Sequence, residues 1–170
     1  MKTKLYASVA AVALTAGAAS ADGHLPFTPG EGDFSWDSYN AWAEGAPDLS
    51  GQDVTIFGPW LAPEDDIFRS MIAYFTDATG ANVTYTGSDG FEQQIVIDAE
   101  AGSAPNIAVF PHPGFAATMA AQGLLTPLGD DMGSWVADNY AAGQSWVDLC
   151  TYGDANGDDQ FYGFFYNVNA

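Results

Sequence analysis

The feature that most constrains the fold is a unit of one short strand and one helix, which the sequence repeats three times. Each unit begins with a run rich in β-branched and apolar residues, at 53–57, 82–86 and 106–110, and a helical stretch follows each run. The connections are short. The sequence therefore predicts parallel strands joined by right-handed crossovers, which is an open α/β architecture.

The first predicted helix has a recognisable beginning and end. Pro63 lies in its first turn, acidic residues that favour the helix N-terminal dipole follow, and Gly80 ends it. The residues expected to form its apolar, core-facing stripe are Ile67, Phe68, Met71, Ile72 and Phe75.

The second and third helices are shorter. Ser88 or Asp89 is predicted to cap the second helix, which ends at Gly102. The third is predicted over residues 115–122, after a rigid proline-containing loop at 111–114.

The residues on either side of the three units have a weaker pattern. Residues 22–52 are rich in Gly, Pro and Asp, so we expect an extended amino-terminal arm with one helical turn near 38–44. Beyond the third unit, the predicted elements are a helix at 130–140, strands at 146–152 and 160–168, and a hairpin turn between those strands at 153–159.

Residues 1–21 have the pattern of a secretory signal peptide. Lys2 and Lys4 precede an apolar core at 5–16, and small residues end the segment before Asp22. The core is too short to span a bilayer, and no later stretch reaches the roughly 18 to 20 apolar residues that a transmembrane helix needs. We therefore expect cleavage before Asp22, export of the mature protein and no insertion into the membrane.

The single cysteine bears on both the fold class and the extent of the chain. It excludes a disulfide scaffold and a zinc ribbon. In an oxidising compartment, Cys150 is expected to be either a free thiol or paired with a cysteine outside this sequence. The second possibility, together with a sequence that stops in or just after a predicted strand, suggests an amino-terminal fragment.

The charge balance excludes two classes of partner. The chain has a formal net charge of −19, and after loss of the leader 22 acidic residues face a single basic one, Arg69. Such a surface repels nucleic-acid phosphates and anionic lipid headgroups. We interpret the acidity as solvation in a salty medium, with a cationic ligand or partner as the alternative.

Several segments resemble the amino-terminal part of the family 1 extracellular solute-binding proteins, the sugar-capturing subunits of ABC importers. They are residues 54–60, 68–75, 79–83 and 102–111, together with the leader. Residues 85–88, 110–114 and 123–128 are most similar to the alpha-glucoside-binding branch of that family.

This resemblance implies a two-lobed, type II periplasmic-binding-protein-like fold. Residues 53–145 would form part of the first lobe, and residues 146–170 a hairpin and the start of the crossover to the second lobe. The implied function is capture of an alpha-glucoside or related oligosaccharide for delivery to ABC permease subunits in the inner membrane. The protein would act as a monomer, without a cofactor and without catalysing a reaction.

The candidate ligand-binding residues lie where the predicted strands end. Ligands of open α/β sheets bind at the carboxyl ends of the strands, which points to the loops at 58–64, 87–91 and 110–115. Sugar recognition needs a flat aromatic face and planar carboxylates or amides. The residues expected to contact ligand are Trp60, Glu64, Ser88, Asp89, His112 and, by alternation along the last strand, Tyr166.

Each of these residues also has a structural interpretation. Trp60 could belong to the core, and Glu64 with Asp65 could be ordinary first-turn acids of a helix. His112 lies between two prolines with no second histidine nearby, so we interpret it as a polar contact or an exposed ring rather than a metal ligand or catalytic base. No catalytic or metal-binding residue is predicted.

Two other functions and one other site are weighed against this hypothesis. A secreted carbohydrate-active enzyme would use two carboxylates, and a binding protein for a cationic osmolyte would use an aromatic cage. Residues 154–159 begin like a calcium loop, but Asp159 takes the sixth position and Phe165 the twelfth, where glycine and a bidentate acid are needed. We therefore interpret this segment as a solvated turn.

Overall fold

The computed structural model describes residues 25, 27–33 and 35–166. The predicted signal peptide and its cleavage site lie outside the described residues, as does the end of the last predicted strand. The helices are α1 (Asp37–Glu44), α2 (Glu64–Thr79), α3 (Phe91–Glu100), α4 (Pro113–Ala121), α5 (Asp130–Asn139) and α6 (Gln144–Leu149). The strands are β1 (Asp53–Gly58), β2 (Asn82–Gly87), β3 (Ile107–Ala108), β4 (Thr151–Gly153) and β5 (Asp159–Phe161).

The first three strands form a parallel sheet in the order β2-β1-β3. The register pairs β1 with β2 along their whole length, from Asp53 opposite Asn82 to Gly58 opposite Gly87. This arrangement confirms the predicted open α/β class. β3 is shorter than predicted because the Asn106 side chain accepts hydrogen bonds from the Thr55 backbone N–H and hydroxyl, at 2.9 and 3.0 Å, where strand pairing would otherwise begin.

Consecutive residues of β1 supply the cores on the two faces of the sheet. Phe57 packs with Phe91 and Ile95 of α3 and Met119 of α4 on one face. Ile56 packs on the other face, together with Tyr85, Val109 and side chains of α2. This division follows from the alternation of side chains along a strand and gives three layers, helices on both sides of one sheet.

The apolar stripe predicted for α2 is wrong for two of its five residues. Phe68 and Ile72 pack against the sheet, four residues apart on one helix face. Ile67 and Met71 lie on the adjacent face and are 71% and 54% exposed. Phe75 lies on the same side of the helix as Phe68 and Ile72 but packs on the amino-terminal arm, where it stacks on Trp42 of α1 with ring centroids 6.0 Å apart.

The predicted beginnings of the helices also need correction. Pro63 is the N-cap of α2 and not part of its first turn. The N-cap of α3 is Gly90, without a side-chain hydrogen bond, so the capping role predicted for Ser88 or Asp89 is wrong. The Ser88 hydroxyl instead accepts the Gly90 N–H at 3.1 Å, within the turn that precedes the helix.

The strand predicted at 146–152 is wrong over most of its length. Residues 144–149 form α6, and only the last residues enter β4. Trp146, Val147 and Cys150 share one helical face, and they pack with Val136 and Phe161 in a separate cluster. β4 is only three residues long and pairs with β5 over Asp159–Phe161, so the strand predicted at 160–168 is equally short, and the described residues 162–166 lie outside any strand.

Several other predictions are confirmed. α5 lies within the predicted 130–140 helix, α1 lies at the predicted helical turn in the arm, and β4 and β5 form the predicted antiparallel hairpin. α4 begins two residues earlier than expected, so the loop predicted to continue to residue 114 ends at His112. Within the described part of the chain, no helix has both the length and the apolar character needed to cross a bilayer.

Candidate functional site

The carboxyl ends of the parallel strands bring together two of the predicted loops. The first, residues 58–64 between β1 and α2, is called the Trp60 loop below. The second, residues 87–91, follows β2 and contacts the first, since the Ser88 N–H donates to the Gly58 carbonyl at 3.0 Å. The approach is so close that a Cβ atom on Gly87 would collide with the Trp60 carbonyl oxygen.

Trp60 stands at this edge of the sheet with its indole half-buried. The ring packs on Phe68 of α2 at 4.9 Å between centroids. Tyr166, far along the chain, meets the indole edge-to-face at 4.8 Å. Tyr166 is 51% exposed, and partial burial of its ring raises the pKa of its hydroxyl. Two of the predicted contact residues therefore form one partly exposed aromatic surface.

The acidic residues at the beginning of α2 differ in their surroundings. Glu64 is exposed, whereas the side chain of Asp65 is only 13% exposed. Oδ2 of Asp65 accepts from Nε of Arg69 at 2.9 Å. Oδ1 is buried and has no hydrogen-bond partner among the described residues. A buried carboxylate oxygen without a hydrogen-bond donor is unusual in a folded protein.

Ser88 and Asp89 lie in the second loop, beside the Trp60 loop. The Ser88 hydroxyl accepts the Gly90 N–H and keeps its own hydrogen for donation to another group. Asp89 is exposed. The second loop therefore offers a hydroxyl donor and a carboxylate acceptor next to the Trp60 loop.

His112 has a structural role at the third loop. As the N-cap of α4, it accepts the Phe115 N–H at Nδ1 over 3.2 Å, while its Nε2 lies 3.2 Å from the Glu92 carboxylate. The first contact identifies Nε2 as the protonated nitrogen of the neutral ring. Both ring nitrogens are thus engaged within the protein, and a ligand that contacted His112 would compete with Glu92.

Three functional candidates were missed at the sequence level, namely Tyr85, Asp65 as a ligand acceptor, and Arg69. Tyr85 is a buried residue of β2 whose hydroxyl hydrogen-bonds the Trp60 backbone, and burial raises its pKa. No local pattern reveals this contact, because it depends on the pairing of β1 with β2. The Asp65–Arg69 pair has a readable signal, the spacing of four residues on a helix.

The turn that resembles a calcium loop is held by its own backbone. Oδ1 of Asp154 accepts the N–H groups of Asn156 and Asp158 at 2.7 and 3.0 Å, and these donors lower the pKa of the Asp154 carboxyl. This geometry fits the interpretation as a solvated turn. Among the described residues, no group of three or more His, Cys, Asp or Glu side chains is arranged to hold a metal ion.

Comparison with known proteins gives one family and several relatives. The model of the bacterial extracellular solute-binding proteins matches residues 58–170. The alpha-glucosides-binding periplasmic protein AglE of Rhizobium meliloti (strain 1021) is 49% identical over 178 residues, covering 100% of this chain and 38% of AglE. The osmoprotective compounds-binding protein GgtB of Synechocystis sp. is 34% identical over 123 residues, covering 72% of this chain and 28% of GgtB.

The chain therefore spans less than two fifths of the length of these two curated relatives. Among solved structures, CpMnBP1 with mannotriose bound aligns with a TM-score of 0.46 and 19% identity, over 66% of this chain and 28% of that protein.

Proposed function

This chain belongs to the bacterial extracellular solute-binding proteins, and we propose that it is part of the substrate-binding component of an ABC importer for an alpha-glucoside or related oligosaccharide. The relatives are binding proteins, and we propose that this protein likewise binds its ligand without transforming it. The proposal includes export to the periplasm, a monomeric state, and delivery of the ligand to permease subunits in the inner membrane.

The observation that carries the proposal is the aromatic surface of Trp60 and Tyr166 at the carboxyl ends of the parallel strands. A pyranose ring presents a C–H face that stacks on an indole, and its hydroxyl groups need fixed acceptors and donors beside that face. Oδ1 of Asp65 and the Glu64 carboxylate supply acceptors at the beginning of α2. The identity of 49% to an alpha-glucosides-binding protein over the whole chain supports the same ligand class.

The proposal also includes the two lobes that the family resemblance implies. The Trp60 loop would form one wall of a cleft, and a second lobe would form the other and close on the bound ligand. His112 and Asp89 would face the same cleft. Both walls would then contribute to affinity, and the second would take part in discriminating between sugars.

A cationic osmolyte is the second candidate ligand. The identity of 34% to a protein named for binding osmoprotective compounds favours an osmolyte, and the acidity of the chain favours a cationic one. The faces of Trp60 and Tyr166 could hold a quaternary ammonium group, and the surrounding acids would add attraction. A sugar would gain little from that net charge because it is neutral.

Calorimetric titration of the full-length gene product that contains this chain separates these ligands. Maltose, trehalose, sucrose and betaine are the test compounds, and we expect saturable binding of at least one sugar and none of betaine. Binding of betaine alone would instead favour the osmolyte function. Chromatography of the sugars after prolonged incubation tests the absence of catalysis, which new products would contradict.

A further inference from the structure

The hydroxyl of Tyr85 makes an unusual pair of contacts with the Trp60 loop. It accepts the backbone N–H of Trp60 at 2.9 Å and donates to the backbone carbonyl of the same residue at 3.2 Å. One side chain of β2 therefore satisfies both polar backbone groups of the residue that carries the candidate stacking ring. Loops rarely have such a fixed point, because their backbone groups usually bond to water.

Two glycines that face each other in the sheet make these contacts possible. Gly58 and Gly87 are register partners at the ends of β1 and β2. A Cβ atom on Gly58 would lie 2.9 Å from the Tyr85 hydroxyl oxygen, and one on Gly87 would collide with the Trp60 carbonyl oxygen. The pair forms a slot without side chains, through which the tyrosine reaches the loop.

Tyr85 itself is held firmly. Its side chain is 3% exposed, in the core cluster between the sheet and α2. Phe68 packs edge-on against its ring with centroids 5.1 Å apart. Arg69 lies over the ring at 5.3 Å and donates to the Tyr85 carbonyl at 2.9 Å, and Asp65 holds Arg69 in turn. The position of the hydroxyl is therefore fixed by the core and not by the loop.

We infer that Tyr85 is a positioning residue for ligand binding, whose hydroxyl holds the Trp60 backbone through the Gly58–Gly87 slot so that the indole is in place before the ligand arrives. The inference rests on the proposed function of the site. A loop that is already fixed loses less conformational entropy on binding, and the affinity for the ligand is higher for that reason. Tyr85 contributes in this way without touching the ligand.

The test is Tyr85→Phe in the full-length gene product, which keeps the buried ring and removes only the hydroxyl. Two quantities are measured well below the melting temperature: the dissociation constant for the sugar that the wild type binds, and amide hydrogen exchange in peptides covering residues 58–64. We expect the dissociation constant to rise about tenfold and these amides to exchange faster.

Tyr152→Phe is the matched control. Tyr152 is also a partly buried tyrosine, hydrogen-bonded to the Cys150 thiol, but it lies on β4 outside the candidate site. Its substitution is expected to lower stability and to leave both the affinity and the exchange at 58–64 unchanged. If Tyr85 contributes only to stability, both variants will lose stability and keep the affinity and the exchange at 58–64 of the wild type.

The outcomes separate the inference from the function on which it rests. Unchanged affinity in a folded Tyr85→Phe variant, or unchanged exchange at 58–64, overturns the positioning role of Tyr85. The proposed function stands in that case if the wild type binds a sugar. Absence of sugar binding by the wild type overturns the function, and the exchange measurement then decides alone whether Tyr85 holds the loop. If Tyr85→Phe does not fold, the affinity and the exchange are measured on Gly87→Ala instead. That variant keeps Tyr85 and displaces the Trp60 carbonyl to which the Tyr85 hydroxyl donates.

Discussion

At the scale of single residues, Asp65 differs from the other acidic residues near it in how its two carboxylate oxygens are engaged. One carboxylate oxygen is committed to Arg69, and the other is buried without a partner among the described residues. Leaving a charged acceptor unsatisfied costs free energy, which a ligand hydroxyl donated to Oδ1 would recover.

Asp65→Asn is therefore expected to weaken sugar binding. A hydrogen bond to a charged group contributes about 1.5 to 3 kcal/mol, which corresponds to a loss of affinity of roughly ten- to a hundredfold. Calorimetric titration of the full-length gene product gives the affinity, with Asp66→Asn as the control because Asp66 is its exposed neighbour on α2. Equal affinities for the two variants would remove Asp65 from the binding site.

The position of a residue could be predicted where it depends on the local sequence. Trp60 follows a strand end and precedes a helix, and this pattern alone places it at the edge of the sheet. The role of Tyr85 could not be predicted in this way, because its hydroxyl reaches Trp60 only through the pairing of Gly58 with Gly87. The ligand-binding roles stay predictions for all six residues, namely Trp60, Glu64, Ser88, Asp89, His112 and Tyr166.

At the scale of elements, α6 and the β4–β5 hairpin enclose a group that titrates at high pH. Burial raises the pKa of the Cys150 thiol to about 11, although a hydrogen bond with Tyr152 lowers it in part. Burial also raises the pKa of Tyr152 and Tyr140 beside it. The folded protein therefore binds these protons more tightly than the unfolded chain does.

Stability is accordingly expected to fall in alkaline solution. Below pH 9 the thiol is protonated in the folded and the unfolded state, and its contribution to the free energy of unfolding is fully present. As the pH rises towards about 11, the unfolded chain releases the proton first, which stabilises the unfolded state relative to the folded one. Urea unfolding at a series of pH values measures this slope. Cys150→Ala should reduce it, and an unchanged slope in that variant would show that the thiol does not contribute.

The same region shows why some elements could not be predicted. The three repeated units were predicted correctly because glycine, proline and periodicity mark each strand and helix. Residues 146–152 carry β-forming side chains, yet Trp146, Val147 and Cys150 pack together from one helical face against Val136 and Phe161. Tertiary packing overrides local propensity there, and the sequence alone contains no sign of which neighbours are available.

At the scale of the whole molecule, charge is the dominant feature. Among the described residues Arg69 pairs with Asp65 and the His112 ring contacts Glu92, which leaves most of the described acidic side chains without a cationic partner at short range. Their mutual repulsion destabilises the compact state and is weakened by dissolved salt.

The melting temperature is therefore expected to rise with ionic strength. The Debye length falls from about 30 Å at 0.01 M to about 8 Å at 0.15 M, so most of the gain should come at low salt concentrations. Thermal unfolding followed by circular dichroism in increasing sodium chloride tests this. A melting temperature that fell steadily up to molar salt would contradict the account of the charge.

The central claim, that the aromatic surface at the strand ends binds a sugar, is tested most directly by titrating Trp60→Ala with the sugar that the wild-type full-length gene product binds. Loss of an aromatic anchor is expected to cost about 2 kcal/mol, a loss of affinity of roughly thirtyfold, with folding intact. Trp135→Ala is the control, because Trp135 is an exposed tryptophan of α5, and it should bind as the wild type does. Unchanged affinity in a folded Trp60→Ala variant would contradict the claim, and loss of folding would instead assign Trp60 to the core.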